Sequence, residues 1–588
     1  MSNPDPASIH GSRSGAWLVR YALEQLPVSH TFGIPGVHNT EIYDELGQSE
    51  RIHPVLVTHE CGAAFMADAL SRTGAGRIGV LLVVPAAGIT HAMSGIGEAF
   101  LDGIPLLIIS GGIRTDTAFG YQLHELDQLA LVKPLTKGAW RVERQSDIVP
   151  TIFEAYRMAT CGTPGPVLVE IPANLQLFRG PVGAVPAFEP SSLPMEASSE
   201  DLDRAVELLV SASAPGLFVG WGARGTRSDL QRIAELLGAP VATTLQGMAS
   251  FPGDHPLHVG MGFGPASVPT AENAFRHCDA LLAIGTRFGE IPTGSFGCTV
   301  PPHLIHVDVN PEVFHRNFKA EVALPGDARR VVPQLLARLE ARGLNQAPRR
   351  EERAAAIARD KAAYRVAWRS HLTDRVNPCL LLEALRRRLP DDAILVVDDG
   401  NHTFLAAELF EVRGSGGFIS PTDFNAMGYC VPGAIGAKLA NPDRVVVGLV
   451  GDGAFLMTGL ELLTAGREGV GLVILVFHDG ELSQISQGQE IPYNRKTCTV
   501  LGPLRLEGIA LATGSEYVAI TDNRGIEEGL AQALWAAAAG KAVIVDVRVD
   551  YSKRTRFTKG VVQTVLKRFP LGDKARFICR ALWRKVTG

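Results

Sequence analysis

The chain of 588 residues is 46% hydrophobic and 20% charged, the composition of a globular protein that can bury three or four cores. It has no apolar run of the ~18 residues that a membrane-spanning helix needs, no apolar signal segment in its opening MSNPDPASIHGSRSG, and no CxxC pair among its eight cysteines. These features and the net charge of −5 disfavour a zinc framework, a disulfide scaffold and a nucleic-acid-binding protein, so we expect a cytoplasmic protein without a nucleic-acid partner.

Strand-like apolar runs alternate with helical patterns along the chain, from HPVLVT (53–58) to AVIVDVRV (542–549). This alternation predicts parallel sheets covered by helices. Two segments interrupt it: a Pro/Ser/Ala-rich linker at 180–200 and a densely charged stretch at 347–376, which predicts an exposed helix between domains. We therefore predict an α/β protein with three doubly wound parallel-sheet domains, at residues 10–180, 195–345 and 375–550, and a basic helical tail at 551–588.

One acidic residue, Glu60, stands where the first of these runs gives way to a helix predicted from Cys61 to Arg72. A carboxylate in this position is either an ordinary charge at a helix N-terminus or an active-site group. The stretch alone leaves both interpretations open.

The strongest motif lies in VVVGLVGDGAFLMTGLELLTAGREGVGLVILVFHDGELSQI. One buried strand is predicted to end at Gly451-Asp452-Gly453 and the next at His478-Asp479-Gly480, so both aspartates are expected at the carboxyl ends of parallel strands, where open α/β sheets bind ligands. Glycines let backbone N–H groups approach a phosphate, and two oxygen ligands beside phosphates describe a Mg²⁺ site. The pair predicts a metal–diphosphate site.

Several motifs, in the same order, resemble those of the thiamine diphosphate enzymes, specifically the acetolactate synthase-like branch of acetohydroxyacid synthases, pyruvate oxidases and 2-oxo-acid decarboxylases. The resemblance covers about residues 10–550. It implies thiamine diphosphate and Mg²⁺ as cofactors, a homodimer or homotetramer, and a pyrimidine-binding, a middle and a diphosphate-binding domain. The motifs are FGIPGVHNTEIYDEL (32–46), TTLQGMASFPGDHPLHVGM (243–261), DDGNH (398–402), NAMGYCVPGAIGAKLA (425–440) and the GDG segment itself.

The resemblance also implies roles for individual residues. Glu60, in Thr58-His59-Glu60, becomes the catalytic carboxylate that hydrogen-bonds the cofactor's aminopyrimidine. Asp452, Asp479 and the backbone carbonyl of Glu481 become the metal ligands. The full set of implied cofactor-binding residues is Pro35, Gly36, Glu60, Gly400, Asn401, His402, Asn425, Met427, Gly451, Asp452, Gly453, Ala454, Asp479, Glu481, Leu482 and Ser483.

The chain departs from the family pattern around the substrate. His124, in LHELD (123–127), stands where the family has a Gln that acts on reaction intermediates, and we predict a catalytic role for it because an imidazole exchanges protons near neutral pH. In PAAGITH (85–91), His91 replaces an Asn. We predict that His38 and His91 contact the substrate.

Two further departures concern the cofactors. His478-Asp479 replaces the usual Asn-Asn, which adds a negative charge beside the diphosphate. Residues 287–291 read Arg-Phe-Gly-Glu-Ile rather than the family's Arg-Phe-Asp-Asp-Arg, so FAD is not predicted.

The predicted function is decarboxylation of a 2-oxo acid with transfer of the acyl carbanion to a second carbonyl, as in acetolactate synthase, so the expected partners are a small 2-oxo acid and a carbonyl acceptor. The main alternatives are a 2-oxo-acid decarboxylase that does not ligate and a 2-oxo-acid oxidase at a membrane surface. Ring-opening or lyase chemistry on other carbonyls also stays open. A non-catalytic regulatory subunit is disfavoured, because it need not retain Glu60, Asp452 and Asp479 together.

The tail, residues 551–588, holds eleven Lys or Arg residues and one acid. We expect its apolar side chains to pack on the acidic body of the protein, and the alternative is a weak contact with the anionic inner membrane surface. Two apolar faces are predicted, one formed by Val562, Val565, Leu566 and Phe569 and the other by Phe577, Ile578, Ala581 and Leu582.

Overall fold

The computed structural model describes residues 11–182, 185–190, 196–344 and 346–587. Within them lie three six-stranded sheets, each all-parallel and covered by helices, and a helical carboxyl-terminal tail, which confirms the predicted doubly wound α/β architecture. None of the helices in this part of the chain is long and apolar enough to cross a bilayer. Residues 183–184 and 191–195 of the predicted linker lie outside the described residues.

The amino-terminal domain contains eight strands and seven helices. The strands are β1 (Gly11–Ser14), β2 (His30–Gly33), β3 (His53–Leu56), β4 (Gly79–Val83), β5 (Leu106–Gly112), β6 (Gly138–Arg141), β7 (Pro166–Pro172) and β8 (Arg179–Val182). The helices are α1 (Gly15–Glu24), α2 (Thr40–Leu46), α3 (Glu60–Thr73), α4 (Ala87–Asp102), α5 (Gln128–Val132), α6 (Ile148–Thr160) and α7 (Ala173–Leu177). The sheet order is β3-β2-β4-β5-β7-β6, and β1 pairs with β8 in a separate antiparallel ribbon.

The middle domain has the sheet order β11-β10-β9-β12-β13-β14. Its strands are β9 (Pro215–Val219), β10 (Val241–Thr243), β11 (His258–Met261), β12 (Ala280–Ile284), β13 (His303–Asp308) and β14 (Val322–Pro325). Its helices are α8 (Ser199–Ser211), α9 (Arg227–Leu237), α10 (Pro269–Phe275) and α11 (Ala328–Glu340). The charged stretch forms the predicted helix between domains, α12 (Ala347–Arg369).

The carboxyl-terminal domain has the sheet order β16-β15-β17-β18-β20-β19. Its strands are β15 (Ile394–Val397), β16 (Phe418–Ile419), β17 (Val446–Gly451), β18 (Leu472–Phe477), β19 (Glu516–Ile520) and β20 (Ala542–Val547). Its helices are α13 (Pro378–Arg388), α14 (Asn401–Leu409), α15 (Cys430–Ala440), α16 (Asp452–Thr458), α17 (Leu462–Glu468), α18 (Ser483–Tyr493), α19 (Leu506–Thr513) and α20 (Ile526–Ala538). The tail forms α21 (Arg556–Arg568) and α22 (Leu571–Thr587).

The first and third sheets share one strand order, because each becomes 2-1-3-4-6-5 when its strands are numbered along the chain from β2 and from β15. The order therefore reverses beside β2 in one sheet and beside β15 in the other. Open α/β sheets bind ligands at such a reversal, outside the carboxyl ends of the strands.

The outer domains share one hydrophobic core, in which α3 lies between α4 and α15. Small residues permit this packing: a Cβ on Gly95 of α4 would overlap Ala64, and a Cβ on Gly436 of α15 would overlap the backbone of Met66. Close helix packing thus fixes the amino end of α3, where Glu60 stands, relative to the carboxyl-terminal domain.

The tail packs on the body through a face that differs from the prediction. In α21, Phe557 stacks on Phe404 of α14, and Gly560 and Thr564 lie against the middle domain. Val562 was expected on the packed face but is 47% exposed. The reason is that small side chains, rather than large apolar ones, allow α21 to approach the middle domain closely.

The second tail helix shows a similar correction. Tyr493, at the end of α18, lies beneath the guanidinium groups of Arg580 and Arg584 of α22. Ile578 and Leu582 were predicted to pack but are mostly exposed. The inner face of α22 combines cationic and apolar contacts, which a count of apolar residues does not detect.

Candidate active site

The candidate residues of the amino-terminal domain all follow carboxyl ends of strands in its sheet. The loop after β2 carries Pro35, Gly36 and His38, the loop after β3 leads to Glu60, and His91 belongs to the helix after β4. The loop after β5 carries His124 at its far end. In the first of these loops, Asn39 accepts the N–H of Gly36 at 2.7 Å and donates to the carbonyl of Ile34, which closes a tight turn.

Glu60 is the first residue of α3, and only 8% of its surface is exposed. The residue before it, His59, caps the helix by accepting the N–H of Cys61 on its Nδ1 atom at 3.1 Å. His91 Nδ1 lies 3.0 Å from Glu60 Oε2, and the rings of His59 and His91 stack at 4.8 Å. Burial and, second, the charge of Glu60 raise the pKa of the nearby Tyr43 phenol.

The three side chains His59, Glu60 and His91 form a compact donor group, with ligand atoms within 4.8 Å of one another. Among the described residues it is the one group of three or more His, Cys, Asp or Glu side chains with spacing that suits a metal ion. His91, for which a substrate contact stays a prediction, contacts Glu60 in the structure.

His38 and His124, which the sequence places in separate loops, meet with their Nδ1 atoms 3.2 Å apart. His124 has a left-handed backbone conformation with φ of 67°. Burial and the neighbouring His124 lower the pKa of His38. Two nitrogens at this distance share one proton, so the pair can both accept and donate a proton.

Asp452 and Asp479 meet at the carboxyl ends of β17 and β18, as their spacing predicts. Asp452 is buried, and its Oδ2 atom accepts the N–H groups of Asp479 at 3.2 Å and of Gly480 at 2.7 Å. Ser483 donates its hydroxyl to Asp479. Burial raises the pKa of Asp479 to about 6 and also raises that of Asp452.

Beside this pair, the two ends of the segment from Gly480 to Leu501, which contains α18, are hydrogen-bonded to each other. Leu482 donates its N–H to the carbonyl of Thr499, and Leu501 donates to that of Gly480, both at 2.8 Å. The side chain of Glu481 accepts Lys496 at 2.7 Å, which leaves its backbone carbonyl as the expected metal ligand. A Cβ on Gly453 would meet the end of the Leu482 side chain, and Ala454, the next residue, is buried.

His478, which replaces the usual Asn, points away from this pair. Its Nδ1 atom lies 2.9 Å from a carboxylate oxygen of Asp546. The hydrogen bond to Asp546, opposed by burial, raises the pKa of His478. A positive charge on this ring lies near Asp452 and Asp479 and offsets part of the negative charge that Asp479 adds.

The predicted phosphate-side segment lies at the reversal point of the third sheet. Gly400 has φ of 150°, and Asn401 begins α14. The ring of His402 packs against Gly400 and against Gly451. His402 is buried, its Nε2 atom has no hydrogen-bond partner among the described residues, and burial lowers its pKa to about 3.

The segment that contains Met427 is held by buried carboxylates from both outer domains. Asp398, at the end of β15, accepts the N–H groups of Gly428 at 2.9 Å and Cys430 at 2.7 Å. Glu98, on α4, accepts those of Thr422 at 3.2 Å and Ala426 at 3.1 Å. Between these supports Asn425 is exposed with φ of 63°, and Met427 packs partly against the shared core.

A reciprocal contact supports Glu60. Glu461 follows α16, is buried, and accepts the N–H groups of Thr58 at 3.2 Å and His59 at 3.0 Å. A Cβ on Gly62 would overlap the carboxylate of Glu461. Each outer domain thus supplies a carboxylate that holds the candidate segment of the other.

Sequence reasoning missed three of these supporting residues. Asp398 stands in the DDGNH motif, so its position beside Gly400 was a usable signal. Glu98 and Glu461 carry no such signal, because their partners are more than 300 residues away along the chain.

Residues 287–291, which depart from the family's Arg-Phe-Asp-Asp-Arg, have a structural role. Arg287 forms an ion pair with Asp423 of the carboxyl-terminal domain and donates to the carbonyl of Leu101 at 2.6 Å. It lines a cleft between the three domains together with Trp221 and Asp308. Burial raises the pKa of Asp308 to about 6.

Comparison with protein families gives three matches in chain order. Residues 13–131 match the N-terminal TPP binding domain of thiamine pyrophosphate enzymes, residues 202–335 the central domain, and residues 398–547 the C-terminal TPP binding domain. Thiamine pyrophosphate is thiamine diphosphate under its older name. Each match contains one of the three parallel sheets or most of it.

Curated relatives extend over most of the chain. The acetolactate synthase large subunit of Corynebacterium glutamicum is 32% identical over 488 residues, which cover 82% of this chain and 77% of that protein. The acetolactate synthase isozyme 3 large subunit of Escherichia coli K12 is 30% identical over 555 residues, 92% of this chain and 95% of that protein. A probable acetolactate synthase large subunit of Methanocaldococcus jannaschii is 29% identical over 532 residues, 87% of this chain and 86% of that protein.

Proposed function

The chain belongs to the thiamine pyrophosphate enzymes, and we propose that it decarboxylates a 2-oxo acid and transfers the acyl unit to a second carbonyl compound, with thiamine diphosphate and Mg²⁺ as cofactors. The observation that carries the proposal is the buried carboxylate of Glu60 at one sheet edge combined with the Asp452–Asp479 pair at the corresponding edge of another. The names of the relatives support the carboligase reaction.

The residues at the third sheet fit the metal and the diphosphate. Asp452, Asp479 and the Glu481 carbonyl would hold Mg²⁺, and no Lys or Arg in the described ranges forms an ion pair with either aspartate. A bound cation would stabilise the buried Asp452 carboxylate and the half-buried Asp479 carboxylate beside it. The glycines at positions 400, 451 and 453 leave space for the diphosphate. The unpaired Nε2 atom of His402 offers a polar atom beside it.

At the first sheet, Glu60 would hold the proton that it shares with the pyrimidine ring of the cofactor. When bound, thiamine diphosphate supplies the electron sink for loss of CO₂. The residues of the chain would orient the two ends of the cofactor and would hold or donate protons at Glu60, His38 and His124.

His38 and His124 lie on the same sheet edge and would move a proton to or from the substrate oxygen. This pair also favours a second candidate function. A proton donor at the position where the family has Gln can protonate the decarboxylated substrate before an acceptor arrives, so that an aldehyde is released. A decarboxylase that does not ligate is therefore the alternative that we retain.

We propose that the active site is completed by a second copy of the chain. Thr58, two residues before Glu60, contacts Glu461 beyond the carboxyl end of α16, whereas Asp452 begins α16. Helical turns of roughly 13 Å therefore separate the two ends within one chain. Exposed apolar side chains stand within five residues of Thr58 or Glu461 along the chain, and such side chains suit an interface between copies. They are Leu56, Leu456, Met457, Leu460 and Leu463.

The reaction is tested by incubating the full chain with thiamine diphosphate, Mg²⁺ and a panel of 2-oxo acids, with and without FAD, and identifying products by mass. A 2-hydroxyketone product supports the carboligase and an aldehyde supports the second candidate. Consumption of no 2-oxo acid would contradict both.

The assembly is tested with Leu460→Asp. Sedimentation should show monomers and turnover should be lost, whereas Leu511→Asp, at an exposed leucine on α19, should change neither. A monomeric wild-type chain with full turnover would contradict the shared site.

A further inference from the structure

We propose that His91 is a positioning residue for Glu60: it binds one carboxylate oxygen, turns the other toward the pyrimidine ring of the cofactor, and exchanges a proton with Glu60. This inference rests on the proposed function, because it concerns how the carboxylate meets the cofactor. The substrate contact predicted for His91 from the sequence stays a separate prediction.

The contact has the geometry of a charge-assisted hydrogen bond. Nδ1 of His91 lies 3.0 Å from Oε2 of Glu60, and the carboxylate is one-tenth exposed whereas the imidazole is half exposed. An ionised carboxylate has no proton to donate, so Nδ1 carries the proton and donates it. The half-buried contact holds the carboxylate more firmly than a surface pair does.

Neighbouring groups fix both partners. His59 stacks on His91 with an interplanar angle of 26°, and its own ring is oriented by the N–H of Cys61. A Cβ on Gly88 would lie 3.6 Å from Oε1 of Glu60, so this second oxygen lies over the first turn of α4. With Oε2 held by His91, Oε1 is the oxygen left for the cofactor.

The charges that face the pair are few. Tyr43, on α2, interacts electrostatically with Glu60, and His59 lies against His91. Glu461 directs its carboxylate at the N–H groups of Thr58 and His59 rather than at the pair. In the described ranges, the ion pair that Glu60 forms is the one with His91.

Proton exchange within the pair moves one proton from His91 to Glu60. When both ring nitrogens of His91 are protonated, the Nδ1–H bond breaks and an O–H bond forms on Oε2, which leaves a neutral imidazole and a neutral carboxylic acid. Asn, the residue that the resemblance assigns to this position, donates an N–H but cannot release its proton. The histidine thus adds a proton source to the site that an amide cannot supply.

The first test needs no cofactor. The full chain labelled with ¹⁵N in its histidine rings reports which nitrogen of His91 carries the proton, with the His91 signal assigned by its loss in His91→Asn. We expect the Nδ1–H form in the wild type and a shift away from it in Glu60→Leu, whose side chain cannot accept the Nδ1–H. An unchanged tautomer in Glu60→Leu would overturn the contact.

The second test measures binding of thiamine diphosphate with Mg²⁺ by calorimetry in buffers of different ionisation enthalpy. His91→Leu should weaken binding by about tenfold, the size of a charge-assisted hydrogen bond, and His91→Asn should restore most of it. The number of protons exchanged on binding should differ between the wild type and His91→Asn. The control His53→Gln removes a 2.7 Å contact to Glu468 outside the site and should leave binding unchanged.

Wild-type affinity in His91→Leu, or the same proton exchange in His91→Asn as in the wild type, would overturn the inference. Failure of the wild type to bind thiamine diphosphate would contradict the proposed function instead. The ring-nitrogen measurement would still decide whether His91 holds Glu60.

Discussion

The carboxylate of Glu461 accepts the backbone N–H of His59 at 3.0 Å, so a residue of the carboxyl-terminal domain supports the peptide that precedes Glu60. The same carboxylate accepts Thr58 N–H at 3.2 Å and the Thr464 hydroxyl at 2.8 Å. The position of the Glu60 carboxylate therefore depends on residues of both outer domains.

Removing this support should affect both stability and function. Glu461→Ala leaves the N–H groups of Thr58 and His59 without their acceptor, at a cost of about 1–3 kcal/mol each. We expect a lower melting temperature and weaker retention of thiamine diphosphate. Glu507→Ala, at an exposed carboxylate, is the control, and a Glu461→Ala enzyme that matches it in both measurements would contradict the role.

Glu60→Gln should fold and bind the cofactor but lose turnover by about 100-fold or more, because an amide cannot share a proton with the pyrimidine ring. Circular dichroism, cofactor titration and product formation are the measurements. Glu468→Gln, which alters a carboxylate paired with His53 outside the site, should retain activity. Near-normal turnover of Glu60→Gln would remove Glu60 from the reaction.

Asp452→Ala should weaken Mg²⁺-dependent binding of thiamine diphosphate on the order of 100-fold or more, since the diphosphate is held chiefly through the metal. Calorimetric titration with both cofactors measures the change. Asp443→Ala, at an exposed aspartate before β17, is the matched control. Equal affinities for the two variants would mean that the GDG segment is only a turn.

His124→Gln should change the ratio of released aldehyde to ligated product on the order of tenfold or more, while the first decarboxylation persists. The physical reason is that the variant breaks the proton-sharing contact with His38 but leaves Glu60 in place. Product ratios between pH ~6 and 8 are the measurement, with the exposed His277→Gln as control. A ratio that stays constant would make His124 a bystander.

A stability prediction comes from the middle domain, where burial lowers the pKa of His306 to about 4. Below about pH 6.5 the unfolded chain binds a proton that the folded chain excludes, so the free energy of unfolding falls as the pH falls from about 6.5 to 4. His306→Gln removes this loss, worth up to about 3 kcal/mol at the acid end, and can keep the hydrogen bond to the Thr286 carbonyl. Melting temperatures across this range test it.

The control for that prediction is His277→Gln, at an exposed histidine of the same domain. The expectation is contradicted if His306→Gln and His277→Gln lose stability equally on acidification.

Much of the fold and half of the site could be predicted from local sequence. Glu60, Asp452 and Asp479 stand at strand ends because apolar runs stop just before them, and that signal lies within a few residues. The approach of His91 to Glu60, or of Glu461 to His59, depends on helix packing between distant segments, for which the sequence carries no spacing. The packed face of α21 was mispredicted for a related reason, since Gly560 packs closely without contributing to an apolar pattern.

The two outer sheets have the same strand order, and α3 of one domain packs against α15 of the other. The outer domains therefore resemble two copies of one fold joined in a single chain. What joins them along the chain is an inserted third fold and its connectors. The Glu461–His59 and Glu98–Ala426 hydrogen bonds run directly between the outer domains, and Arg287 of the insert pairs with Asp423 in the segment that Glu98 holds. Because no donor or acceptor of either hydrogen bond belongs to the insert, a substitution on its surface that spares Arg287 leaves both of them in place.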